Sequence, residues 1–385
     1  MMVNKDLCTG CRACEVVCPV KAIAMVKNGE GFLYPTINLD KCIDCGACEK
    51  VCPYINVPQA KSEKVYAVKN NDESIRNASS SGGVFYLLAK EVLKKDGVVY
   101  GAAFDKELNL VHQSTENADI RKLMQSKYLQ SNTGDTFVKV RNELKEGRFV
   151  LYAGTPCQVN GLKNYIGKNY DNLLLVDFVC HGVPSPKVFS KYIKEWEEKE
   201  KAKVVDVKFR DKATGWSSYS VKIVFDDGRE RLVRMNKDVY MQLFLKNIDL
   251  RASCYHCMAK GENRASDITL ADFWGGNKRY PDFVDDTGTT LVFVNSDKGE
   301  KTFNAIKDDV CYIEVDKTYC IDNNINYLES CKDNAKRDKF FEKLDKYSLD
   351  KLNRKYNMPN IMSRANHKMI YLAKRLVKRF VKIAK

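Results

Sequence analysis

Two short stretches decide how this chain is read: Cys8-Thr9-Gly10-Cys11-Arg12-Ala13-Cys14-Glu15-Val16-Val17-Cys18-Pro19 and Cys42-Ile43-Asp44-Cys45-Gly46-Ala47-Cys48-Glu49-Lys50-Val51-Cys52-Pro53. Each holds three cysteines at two-residue gaps, then a fourth after three residues, then a proline. The short gaps let the backbone wrap three corners of an inorganic cube with its N–H groups turned to the sulfides. The longer gap and the proline send the fourth thiolate to a second site. On that rule Cys8, Cys11, Cys14 and Cys52 bind one [4Fe–4S] cluster, and Cys42, Cys45, Cys48 and Cys18 bind the other. Gly10 and Gly46 are expected to supply the tight turns. Structural zinc sites are the alternative, but they generally use two separated Cys-x-x-Cys pairs, not triplets with a trailing Cys-Pro.

The repeated run is that of bacterial-type ferredoxins, and it accounts for residues 1–57 as an α+β domain. Val20–Met25 and Gly31–Ile37 are its expected short hairpin elements. Working outward, the 385 residues suggest two or three domains, and 44% hydrophobic with 30% charged residues is ordinary for a globular chain. Fifteen cysteines cannot all pair, and no secretion signal is read at the N-terminus, where Cys8 and Cys11 fall in place of an apolar core. Metal ligation or reactive thiols in a cytoplasmic protein are therefore expected. The longest apolar run, near Leu173–Val179, is broken by Asp177 and falls far short of the roughly 20 residues of a membrane-spanning helix.

Residues 58–64 are polar and read as a linker. Strand-like and helix-like segments then alternate: Val65–Lys69, Val84–Lys95, Val98–Phe104, helical patterning in Ile120–Glu146, Phe149–Ala153, Val159–Ile166, Leu173–Val179 and a charged surface helix, Lys187–Lys201. This alternation predicts a mostly parallel α/β sheet. Tyr219–Phe225 and Arg231–Met235 flank Asp227-Gly228 and predict an antiparallel hairpin excursion. Residues 301–363 form a polar extension with no assigned role. Residues 364–385 carry eight Lys or Arg and no acid, more than half of the net +14 charge. They read as a basic amphipathic helix that either lies against an anionic membrane face or covers a core, and nucleic acid is not an expected partner, for lack of an aromatic platform.

The remaining cysteines are dispersed. Cys157 and Cys180 each follow a strand-like run, where α/β folds build sites, and Cys254 and Cys257 form a Cys-x-x-Cys pair. Spacing alone leaves open a third cluster, buried structural thiols, or zinc recruited by His256. Cys311, Cys320 and Cys331 have no ligand spacing and read as ordinary thiols. Ser79-Ser80-Ser81-Gly82-Gly83 precedes a helical pattern, so it is either a phosphate cradle or a plain serine cap. Lys127, His181 and Asp272 are candidates near a site, each with a structural alternative. No catalytic triad or carboxylate pair is found, and catalytic residues are unassigned.

Taken together, Ser79–Gly83, Ser126-Lys127-Tyr128, Gly154-Thr155-Pro156-Cys157-Gln158, Val179-Cys180-His181-Gly182-Val183-Pro184-Ser185, Cys254–Cys257 and Asp267–Gly275 resemble the coenzyme F420 hydrogenase/dehydrogenase beta-subunit family, in its form with an N-terminal ferredoxin domain. The resemblance covers residues 62–300. It implies an α/β flavin-binding domain, a third [4Fe–4S] cluster on Cys157, Cys180, Cys254 and Cys257, and FAD near Ser80, Ser81, Gly82, Gly83, Lys127 and Tyr128. The missing Gly-x-Gly-x-x-Gly fingerprint speaks against an ordinary Rossmann site. Such a protein is an iron–sulfur flavoprotein oxidoreductase of anaerobes, passing electrons between ferredoxin or a partner subunit and coenzyme F420 or another small molecule. A reductase in a membrane-associated, surface-polysaccharide pathway and a non-enzymatic ferredoxin-like carrier are the other readings.

Overall fold

The computed structural model describes residues 4–117 and 119–357, so the amphipathic segment 364–385 lies outside the described residues. In the N-terminal part, helix α1 (Ala13–Val17) and helix α2 (Ala47–Lys50) each follow a cysteine loop, and strands β1 (Ile23–Lys27) and β2 (Leu33–Ile37) pair antiparallel between them. Two left-handed residues shape each loop at equivalent positions. They are Gly10 (φ 69°) and Arg12 (φ 68°) in the first and Asp44 (φ 49°) and Gly46 (φ 68°) in the second. Glycine takes that conformation freely, whereas arginine and aspartate adopt it at a cost.

The rest of the chain begins with β3 (Lys64–Asn70), α3 (Glu73–Ala78), α4 (Val84–Leu93), β4 (Val98–Phe104) and β5 (Leu110–Thr115). It continues through α5 (Thr136–Lys145), β6 (Val150–Ala153), α6 (Pro156–Ile166), β7 (Leu173–Phe178) and α7 (Pro186–Glu200). Then come β8 (Val204–Asp211), β9 (Ser220–Phe225), β10 (Glu230–Arg234), α8 (Val239–Leu245), β11 (Ile268–Asp272), β12 (Thr290–Val294) and β13 (Val310–Glu314).

Eight strands form one sheet in the order β13-β3-β12-β11-β7-β6-β4-β5. The sheet is mixed, not mostly parallel: β11, β7, β6 and β4 run parallel, while β5 on one side and β12, β3 and β13 on the other pair antiparallel. Strands β6 and β7 read as continuous apolar runs because both faces are covered. One face packs Leu151, Leu174 and Val176 against Val84, Leu88 and Val92 of α4. The other packs Val150, Tyr152 and Leu175 against Phe137, Val159 and Leu162, and there Cys11, Ala13 and Val51 of the N-terminal part join the same core.

Strands β8, β9 and β10 form a separate antiparallel sheet, with β9 and β10 paired across the Asp227-Gly228 turn. Its core includes Val188, Phe189 and Tyr192 of α7, so that helix buries an apolar face beneath its charged one. Phe340, Leu344, Leu349 and Leu352 close the same core, giving part of the polar 301–363 segment a packing role. Arg337 from this segment grips both Glu30 carboxylate oxygens, at 2.7 and 2.6 Å, beside the β1–β2 turn.

Two further differences from expectation have local causes. Ile120–Glu146 is not one helical stretch: a single turn at Arg121–Leu123 is separated from α5 by irregular chain in which Gln125 and Gly134 take positive φ. The stretch 58–64 is tied down, with Ala60 N–H bonded to Glu262 and Ser62 buried. Among the described residues no helix is long and apolar enough to cross a membrane.

Candidate functional site

Cys8, Cys11, Cys14, Cys48 and Cys52 line one cavity, so the inner quartet shares it with one thiol of the outer. Burial pushes the Cys14 thiol up to about 12, and the neighbouring Cys8, Cys52 and Cys48 push the same way. Cys11 is raised as well, by burial first and then by Cys14, Cys8 and Cys157. Cys42 and Cys45 are exposed, while Cys18 and Cys48 are half-buried. The two N-terminal quartets therefore differ in depth: one faces outward and the other lies against the large sheet.

The dispersed cysteines come together. A capping box of Thr155 and Gln158, with Pro156 at the first position, starts α6 and holds Cys157 in its first turn. Cys180 follows β7, while Cys254 lies within the short helix Ala252–His256 and Cys257 caps its end. Burial pushes Cys157 up to about 11, with Cys257 the next cause. Cys180 is raised by burial, then by Cys254, Cys157 and Cys257. Cys157, Cys180 and Cys254 are each raised by burial and by neighbouring thiols, so thiolates are disfavoured here in isolation. A multivalent cation reverses that balance, so the donor set fits an iron–sulfur centre. Among the described residues no three His, Cys, Asp or Glu converge as a single ion requires. The corners of a cube hold their thiolates further apart than ligands on one ion.

Cys331, expected as an ordinary thiol, is a buried neighbour of this group. It lies beside Cys254 and Cys257, and its thiol donates to the His181 carbonyl. Lys260 adds a cation here, donating from Nζ to the carbonyls of Cys180 (2.9 Å) and Asn326 (2.8 Å). His181 is held by Asn247 at 2.7 Å and by Asn326 at 3.2 Å.

Arg251 joins the inner N-terminal quartet to this third group. Fully buried, it donates to the carbonyls of Cys8 (2.7 Å) and Leu33 (2.9 Å) and to Gln130 (3.0 Å), and it lies 4.1 Å from the Tyr34 ring. Its charge also acts on Cys157, placing a cation between the two thiol groups.

A second site gathers round the loop before α4. Ser80 Oγ accepts from Ser126 N–H at 2.7 Å, Ser81 Oγ donates to the Thr289 carbonyl at 2.8 Å, and Gly82 N–H donates to Thr290 Oγ1 at 2.8 Å. Gly83, at φ 83°, turns the chain into the helix. Lys127 sits beside this loop, but its ammonium is given to the carbonyls of Lys122 and Met124. Tyr128 stacks on Phe244 with ring centres 4.8 Å apart.

Sequence reasoning missed the residues that wall this site from the smaller sheet. Lys212 Nζ donates to the carbonyls of Arg76 (2.7 Å), Ser81 (2.9 Å) and Thr287 (2.7 Å). Trp216 donates from its ring nitrogen to the Ser80 carbonyl at 3.1 Å and stacks on Trp274 at 4.7 Å. Buried Arg210 pairs with Asp272. The one available signal was that Trp216 and Trp274 are two of only three tryptophans in the chain.

Comparison with known proteins assigns two regions. Residues 147–318 match the family model for the C terminus of the beta subunit in coenzyme F420 hydrogenase/dehydrogenase, and residues 7–56 match a 4Fe-4S dicluster domain. The chain is 24% identical over 343 residues to a subunit of the F(420)H(2) dehydrogenase of Methanosarcina mazei, covering 81% of this chain and 86% of that protein. It is 26% identical over 332 residues to the coenzyme F420-dependent sulfite reductase of Methanocaldococcus jannaschii, covering 82% of this chain but only 49% of that one. Among solved structures, the F420-reducing [NiFe] hydrogenase complex from Methanosarcina barkeri has a chain that aligns at 16% identity and a TM-score of 0.46, over 69% of this chain and 91% of that one. That likeness is too loose to place any residue.

Proposed function

We propose that this chain, an iron–sulfur oxidoreductase related to the coenzyme F420 hydrogenase/dehydrogenase subunits, carries single electrons between a redox partner and a flavin that exchanges hydride with F420 or another small molecule. Cys18, Cys42, Cys45 and Cys48 hold the outer cluster and meet the partner, ferredoxin or a redox subunit, because Cys42 and Cys45 are exposed. Cys8, Cys11, Cys14 and Cys52 hold the inner cluster. Cys157, Cys180, Cys254 and Cys257 hold the third. Bound FAD supplies the conversion between one-electron and two-electron transfer, which iron–sulfur clusters alone do not perform. The loop Ser80–Gly83, opening the ten-residue α4, offers amides and the positive helix end to its phosphates.

The observation that supports this reading best is that Cys11 packs against Gly161 of α6, the helix that carries Cys157 in its first turn, which makes the inner quartet and the dispersed one neighbours. Arg251 between them offsets the negative charge of two thiolate sets and keeps water out of the gap. The test is anaerobic purification with iron, sulfide and flavin analysis. About twelve irons, twelve sulfides and one FAD per chain are expected. About eight irons removes the third cluster, and iron without flavin reduces the protein to an electron carrier.

A further inference from the structure

Arg210 has two donors that none of the described residues uses. Its side chain is only 3% exposed, Nη1 is paired with Asp272, and Nε and Nη2 have no hydrogen-bond partner among the described residues. An unpaired buried donor of a charged group costs free energy unless a ligand satisfies it. Those two N–H groups form one edge of the guanidinium, a fork that fits two adjacent acceptor atoms in a plane. Asp272, at the end of β11, fixes the opposite edge, so the free edge is held in one orientation.

The surroundings are aromatic. The guanidinium carbon lies 4.6 Å from the Tyr219 ring, 5.6 Å from Trp216 and 5.7 Å from Trp274. Trp274 is half-exposed, so this wall opens to solvent, and Trp216 is bonded to Ser80 of the loop proposed to hold the FAD phosphates. Thr289 Oγ1, another buried atom without a partner, belongs to the segment that accepts from Ser81.

We infer that Arg210, beside the stacked Trp216 and Trp274, binds the N–C=O edge of a planar isoalloxazine-type ring. Such an edge offers two coplanar acceptors and carries the negative charge when the ring is reduced, matching a fixed cationic fork, while the outer indole, exposed Trp274, covers the ring's apolar face. This rests on the flavin reading above. The same ring chemistry belongs to a resident flavin and to an exchangeable deazaflavin, so the experiment separates the two.

The full chain, purified without oxygen, is compared with Arg210→Gln and Trp274→Ala for FAD affinity, flavin midpoint potential, and quenching of oxidised F420 fluorescence. A resident ring is shown by an FAD dissociation constant about tenfold or more higher in both variants, with a more negative potential in Arg210→Gln. An exchangeable ring is shown by unchanged FAD binding with F420 affinity lowered to a similar extent. Should Arg210→Gln lose its iron and fail to fold, Trp274→Ala, altered at a half-exposed position, decides alone. Variants that bind both ligands as the parent does overturn the assignment of Arg210. A parent chain that binds no flavin overturns the proposed function first.

Discussion

Equivalent positions of the two cysteine loops share a backbone but not side chains: Gly10 matches Asp44, and Arg12 matches Gly46, all at positive φ. Each loop thus spends one glycine and tolerates one strained residue. Arg12 is compensated by its bonds to Glu15 (2.6 Å) and Asn132. Asp249 shows a different residue-scale tension. It is fully buried, neither carboxylate oxygen has a side-chain partner among the described residues, and burial pushes its pKa up to about 7 despite its own backbone amide and Arg337 nearby. A carboxyl with a raised folded value keeps its proton after the unfolded chain has lost it. Its contribution therefore makes stability fall as pH rises from about 4 to about 7, then level off. Asp249→Asn should abolish that part of the decline and be more stable at pH 8, by about 4 kcal/mol at most; comparing the thermal unfolding of parent and variant, without oxygen, across about pH 5 to 8 checks it. Cys331 is the fifth thiol at the third group. If it is only a neighbour, Cys331→Ser keeps its full iron content while Cys257→Ser loses about four irons.

At the scale of elements, α6 brings two thiol groups together. It presents Cys157 in its first turn, and one turn on, Gly161 lets Cys11 approach so closely that an added Cβ would stand 2.8 Å from its sulfur. A sulfur bonded to iron cannot give way. Gly161→Ala should therefore displace the inner cluster although alanine favours a helix by about 1 kcal/mol over glycine. Iron analysis should show about four atoms lost, and unchanged iron would mean that the inner thiols sit elsewhere. The body of the same element was legible beforehand as Val159–Ile166 from its periodicity, but its first turn from Pro156, set by the Thr155–Gln158 capping box, was not. The region between Arg121 and α5 was not, since periodic apolar residues there serve an irregular path set by Gln125 and Gly134.

For the whole molecule, exposure separates Cys42 and Cys45 at the surface from Cys11, buried against the large sheet, and from half-buried Cys157 and Cys180. Removing the outermost step should isolate the rest. In Cys42→Ser, anaerobic stopped-flow mixing with reduced ferredoxin should show flavin reduction slowed by about tenfold or more, with the flavin absorbance itself unchanged. An unaltered rate would place the point of entry elsewhere on the surface. The dicluster character of the N-terminal quartets, matched by a 4Fe-4S dicluster domain, could be written from sequence because cube ligation is a matter of spacing within a few residues. The alternation of strand and helix was equally local. What required the folded chain was everything joined across long separations: Cys331 beside Cys257, Arg251 between Cys8 and Cys157, and the antiparallel strands that turned a parallel core into a mixed sheet. Arg210 belongs with these, because its partner Asp272 and the facing Trp274 are some 60 residues away. Spacing encodes which short segments wrap a cluster, but only packing decides which distant side chains share its surroundings and which buried donors are left facing a ligand.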